Sequence, residues 1–178
     1  MKSFIISFFL ILIFIVFSSS NRPNSSSYFA YALKQVKKYN PDRKDYVIVI
    51  DYRKSIFSKR LYLLDMKKKN IVLSSSVSHA WKSGGLYARK FSNRIGTNTS
   101  CMGNFLTGSS RYGKYGYRMA VKGLDRGVND NALERAIIFH STKKMKTKWS
   151  WGCFATPEKV NKKIIDVTKN GVLVCVIV

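Results

Sequence analysis

Acidic residues are scarce in this chain. Nine aspartates and glutamates face 32 lysines and arginines among 178 residues, a net charge of +23. That balance points to an acidic partner: nucleic acid, anionic lipid or cell-wall material. The basic residues are spread along the chain rather than gathered in one arm, and there is no nucleic-acid-binding motif, so nucleic acid is not an expected partner. A negatively charged envelope surface remains, beside the plainer reading that lysine solvates ordinary faces. Cysteine is equally sparse. Cys101, Cys153 and Cys175 make no C-x-x-C pair and no zinc-like spacing, so no metal site is expected. Cys175 lies in the apolar run Val172 to Val178 and reads as buried and inert. A Cys101–Cys175 disulfide stays open as an alternative, and an odd count leaves at least one thiol free. There is no internal repeat.

Long hydrophobic runs are also lacking, with one exception. Phe4 to Phe17 is apolar except for Ser7. As a helix it would reach roughly 21 Å, short of the about 30 Å of a bilayer core. Lys2 precedes it, and Ser18, Ser19, Ser20 and Asn21 follow. Residues 1–20 therefore read as a secretory signal peptide, with a retained membrane anchor as the alternative. No cysteine follows directly, which argues against a lipoprotein. Residues 21–27, rich in Ser, Asn and Pro, read as a linker. Residues 28–178 then form one domain exported to the cell envelope, long enough for a single core.

What is present is mostly strand. Tyr28 to Tyr39 carries Phe29, Ala32, Leu33 and Val36 at helical spacing and ends at Asn40-Pro41. Tyr46 to Ile50, Arg60 to Asp65 and Ile71 to Val77 read as strands, as do Cys101 to Leu106 and Tyr117 to Val121. Trp81 to Tyr117 is rich in Gly, Ser, Asn and Arg, the composition of turns. Asn129 is placed to cap a short helix through Arg135. Ala136 to Phe139 is an apolar strand leading to His140. Thr156-Pro157-Glu158 starts a helix, with Thr as cap and Pro at the first helical position. Val160, Ile164 and Val167 line one face of it, and Asn170-Gly171 stops it before a last strand. Strands dominate without alternating regularly with helices. The expected fold is therefore mainly β, a β-sandwich or open barrel with two or three peripheral helices.

One pair of residues carries chemistry. His140 ends an apolar strand, and Cys153 follows Gly152 thirteen positions later, just before the capped helix. A thiol is a good nucleophile only as thiolate, and a nearby imidazole takes its proton. Gly152 lets the backbone turn tightly, and N–H groups near Gly152 and Cys153 are placed to bind an oxyanion. On spacing alone a core cysteine beside an ordinary histidine is the better reading, since Cys/His pairs are common.

The wider sequence goes further. Ser150-Trp151-Gly152-Cys153, with His140 one strand earlier, resembles the L,D-transpeptidase catalytic domain, in the branch written Ser-Trp-Gly-Cys. Val77-Ser78-His79, Phe91-Ser92-Asn93, Gly123-Leu124-Asp125, Asn129 to Ala132 and Arg135 to His140 resemble that branch too. The resemblance runs from about Tyr46 to Val178. It implies Cys153 as nucleophile, His140 as general base and the Ser141 backbone carbonyl as its orienting group. It implies the Gly152 and Cys153 N–H groups as oxyanion hole and Ser150 as a brace of the loop. Ser150, Trp151, His79 and Asn93 become substrate-side residues, with Tyr87 a weaker one and His79 equally readable as a structural hydrogen-bonding residue. The implied partners are peptidoglycan stem peptides, donor and acceptor, joined in 3→3 cross-links through a thioester, with no metal or cofactor. An L,D-carboxypeptidase or other thiol peptidase at the same site, and a non-catalytic basic envelope-binding protein, are the alternatives. The family's arginine soon after the cysteine is missing here, where Phe154-Ala155 stand. Lys146, Lys148 or Arg118 is the expected replacement for binding substrate carboxylates.

Overall fold

The computed structural model of the chain describes residues 25–114, 116–142 and 149–178. The signal-peptide reading of residues 1–20, and Lys146 and Lys148, lie outside the described residues.

The first helix, α1 (Ser25–Tyr39), begins inside the stretch read as linker. Three strands follow: β1 (Arg43–Asp51), β2 (Leu61–Asp65) and β3 (Asn70–Ser75). Next come β4 (His79–Ala80), β5 (Gly103–Gly113), β6 (Gly116–Gly123) and β7 (Ile138–Ser141). The chain ends with β8 (Trp149–Ser150), β9 (Phe154–Thr156), α2 (Glu158–Thr168) and β10 (Val172–Ile177). Eight of the described strands form one curled sheet in the order β3-β2-β1-β10-β5-β6-β7-β9. β4 and β8 make a small parallel pair of their own.

β10 and the Tyr46–Ile50 stretch of β1 are apolar at every position because both faces of the sheet are covered there. Ile48, Ile50, Leu61, Leu63, Val174 and Val176 point into the main core with Phe105, Met119 and Phe139. The alternate residues Val47, Val49, Leu64, Leu173 and Cys175 meet Tyr28 and Ala32 of α1 on the other face. Cys101 belongs to the first cluster and Cys175 to the second, so the sheet separates them. All three cysteines are free thiols, which corrects the Cys101–Cys175 disulfide alternative.

Two further expectations are corrected. The helix expected over 129–135 is one 3₁₀ turn, Asp130–Ala132. The Asn129 side chain is occupied elsewhere: it accepts from the Asp125 N–H and donates to the Met102 and Asn104 carbonyls, so it caps nothing. At the start of α2 it is Pro157, not Thr156, that occupies the cap position. The curl of the sheet brings the chain just beyond β3 back to β9. There the Ser78 N–H donates to the Ala155 carbonyl at 2.9 Å, and the Ala155 N–H donates to Ser78 Oγ at 3.1 Å.

Candidate active site

β7 and β9 lie side by side and parallel, with Phe139 opposite Phe154 and His140 opposite Ala155. Successive side chains on a strand point to opposite faces. Phe139 and Phe154 go to the core, their rings 4.9 Å apart. His140 and Ala155 therefore face outward, and Cys153, two residues before Ala155, falls on the same face. Met119 of β6 is likewise buried opposite Phe139, which turns Arg118 outward opposite His140. The outward face is the wall of a cavity of about 770 Å³ that Cys153, His140 and Trp151 all line.

Cys153 is half-buried, and its Sγ lies 3.6 Å from the Ala136 carbonyl. Burial pushes its thiol above the ordinary value, against the opposing effects of the Ile138 backbone amide and the Arg135 guanidinium. His140 is pushed the other way. Burial lowers its pKa, with the Ser141 carbonyl partly opposing. That carbonyl lies 2.9 Å from Nδ1. A carbonyl only accepts, so Nδ1 carries the proton and Nε2 is the basic nitrogen. At neutral pH the pair is thus thiol and neutral imidazole on the wall of one cavity.

The loop that delivers the thiol is held from behind. The Cys153 carbonyl accepts from Ser150 Oγ at 2.7 Å and from Ser78 Oγ at 3.3 Å. Gly152 has φ +135°, and a Cβ there would meet Ile137 Cδ1 at 2.8 Å and the Thr99 carbonyl at 3.2 Å. Arg135 fixes the facing loop, donating to the Ser92 carbonyl, to Cys101 Sγ at 2.6 Å and to the Thr99 carbonyl at 2.6 Å. No group of three or more His, Cys, Asp or Glu among the described residues is placed to hold a metal.

The sequence profile of the L,D-transpeptidase catalytic domain matches residues 20–177. The chain belongs to that family. Solved structures of the helical cell shape determining protein Pgp2 from Campylobacter jejuni share the L,D-transpeptidase-like fold. A point mutant gives a TM-score of 0.53 at 14% identity, over 88% of this chain and 56% of that one. A second Pgp2 structure gives 0.51 at 13% identity, over 83% and 54%. An Enterococcus faecium L,D-transpeptidase gives 0.47 at 15% identity, over 75% and 50%. The chain spans about half the length of these solved structures. No curated protein matches it. No helix among the described residues is long and apolar enough to cross a membrane.

Within this transpeptidase domain the expected site residues fall into two groups. Cys153, His140, Trp151 and Ser150 share the cavity, with Trp151 at its rim, 74% exposed. Ser141 stands behind it, its carbonyl on His140. The others serve elsewhere. His79 is fully buried. Its Nε2 donates to the Gly84 carbonyl at 2.9 Å and its Nδ1 accepts from Arg60 at 3.1 Å, so it packs behind the site and does not line the cavity. Asn93 joins the Asp130 carboxylate at 2.6 Å and the Asn131 N–H at 3.0 Å, holding a turn outside the cavity. Neither it nor Tyr87 lines the cavity. The Gly152 N–H donates to Ser150 Oγ at 3.2 Å and is buried, so it is not aimed at a reacting carbonyl. Sequence reading passed over Ser78 and Arg111. The Val77-Ser78-His79 resemblance drew the eye to the histidine, while the neighbouring serine makes the contact with the cysteine loop.

Proposed function

We propose that this chain is a cysteine-dependent L,D-transpeptidase of peptidoglycan. Cys153 Sγ attacks the carbonyl of the L-centre of the diamino acid in a tetrapeptide stem while His140 Nε2 takes the thiol proton. The tetrahedral intermediate collapses, the Cα-amine of D-alanine leaves with the proton from His140, and a thioester remains on Cys153. A side-chain amine of a neighbouring stem then attacks the thioester, forming the 3→3 amide and regenerating the thiol. Water in place of the amine gives L,D-carboxypeptidase activity at the same site. The Ser141 carbonyl holds the imidazole in the tautomer that both steps need, and the Cys153 N–H is the oxyanion donor left once Gly152 is bonded to Ser150. The chain works in the cell envelope, where this substrate is found.

The observation that supports this most is the parallel register of β7 and β9. It brings a neutral imidazole, already in the basic tautomer, and a thiol to the same wall of one cavity. The test is intact-protein mass spectrometry with a purified disaccharide-tetrapeptide, beside Cys153→Ala. The expected result is an acyl adduct on the wild type alone, with D-alanine released and a cross-linked dimer formed. Decay of the adduct to tripeptide only would reassign the acceptor to water. A folded protein giving neither adduct nor product would leave a basic wall-binding role instead.

A further inference from the structure

We propose that Arg111 and Arg118 form an anion-binding row beside the thiol that holds carboxylates of the donor peptide. This deepens the peptidoglycan reading and rests on it for the identity of the ligand.

The row is a product of register. Arg111 of β5 lies opposite Arg118 of β6, and Arg118 lies opposite His140 of β7. All three side chains point from the same face of the sheet into the cavity that Cys153 lines. Like charges directly opposite on neighbouring strands repel, and strands ordinarily place an acid there instead. Here no described residue lining the cavity is acidic. The ion pairs among the described residues, Arg43–Asp45, Arg53–Asp51 and Lys162–Asp166, involve neither arginine. The Arg118 Nε is buried and has no hydrogen-bond partner among the described residues. Its guanidinium rests over Gly113, where a Cβ would come within 2.8 Å of Nη2, so a missing side chain on β5 makes room for it.

The third arginine of the cavity, Arg135, is committed to Ser92, Cys101 and Thr99. That leaves Arg111 and Arg118 as the forks able to receive an anion. A guanidinium fork matches a carboxylate with two parallel hydrogen bonds. A stem peptide carries carboxylates on either side of the carbonyl that Cys153 attacks. The cation that the family places just after the cysteine is absent from this chain. The β5–β6 hairpin supplies one from the opposite direction, across the cavity wall.

The first test compares two alkylating agents on the full chain. Iodoacetate is anionic and iodoacetamide neutral, and each loses iodide to the same sulfur, so the ratio of their rates at Cys153 cancels thiol ionisation. Cys101 and Cys175 are buried, and peptide mass spectrometry separates them. Arg111→Gln with Arg118→Gln is expected to lower the iodoacetate-to-iodoacetamide ratio about tenfold, as expected for loss of a charge-assisted contact. Raised salt should lower it in the wild type, and Arg118→Lys should retain part of it. An unchanged circular dichroism spectrum and urea midpoint show that the variant has kept its fold.

The second test acylates the protein with a stem tetrapeptide carrying free or amidated carboxylates. The free form should win through KM in the wild type and lose its advantage in the double variant. A ratio that does not move in the double variant overturns the row. Acylation of the wild type with an unmoved ratio would then leave the transpeptidase reading standing without it. A ratio that falls in a protein no stem acylates would keep the anion site and remove the peptidoglycan reading.

Discussion

Gly152 shows how much of this site depends on a missing atom. Its φ of +135° is one that side chains rarely adopt, and the space where a Cβ would go is already filled by Ile137 and the Thr99 carbonyl. Gly152→Ala is therefore expected to cost about 1–3 kcal/mol of stability, read as a lower urea midpoint. It should also slow alkylation of Cys153, because the thiol is the next residue. Gly127→Ala is the control. Gly127 also has positive φ, but nothing lies within 4 Å of its added Cβ, so only the backbone cost applies. The neighbouring residues divide the labour. Ser150 holds the loop and Trp151 meets solvent. Burial favours the protonated thiol on Cys153 and the neutral imidazole on His140, moving the two pKa values in opposite directions.

Among the elements, β9 sets the position of Cys153, the proposed nucleophile, and β9 is tied to β7 on one side and to Ser78 on the other. Ser78→Ala would leave the Ala155 N–H unpartnered and remove one of two hydroxyls from the Cys153 carbonyl. We expect a loss of about 1–3 kcal/mol, the usual cost of stranding a buried polar group. Acylation should slow beyond what that loss of stability explains, measured at a temperature where both proteins are fully folded. The strands of the central sheet and α2 were legible because continuous apolar runs and a Pro-Glu start have few other readings. The His140–Cys153 pair was legible because a resemblance lent meaning to a spacing that alone is common. Other features were hidden for one reason: they depend on pairing. Whether Ser78 or His79 faces the cysteine loop is decided by a shift of one residue in a two-residue period. That Arg111 and Arg118 stand in a row with His140 follows from two registers, and no local pattern announces either. The missing helix after Asn129 is similar, since a side chain suited to a cap was claimed by carbonyls about 25 residues earlier in the chain.

At the scale of the whole molecule, one buried and one half-buried histidine shape the response to acid. His79 is held below its ordinary value of 6.5, chiefly by burial, with the adjacent Arg60 adding to the effect and the Gly84 hydrogen bond opposing it. His140 is lowered as well, again by burial. A histidine with a depressed native pKa binds protons more readily when unfolded, so its stabilising contribution is present above about 6.5 and falls as pH drops toward the native value. Urea midpoints should therefore decline from pH 7 to pH 5, and His79→Asn should flatten that decline. Asp51 belongs to a separate window. Burial pushes its carboxyl up, but bonds from Arg53 and Tyr28 outweigh this, and its contribution is lost only at more acidic pH, below its ordinary 3.8. The stitch between Ser78 and Ala155 has a consequence of another kind. A three-residue strand at the end of a sheet is where a foreign chain would ordinarily add. Ala155 offers that chain neither a free N–H nor a free carbonyl, since one serine takes both. The strand that follows Cys153 is thereby a poor template for aggregation, and the serine that braces the cysteine loop also keeps that edge from being covered by a neighbour.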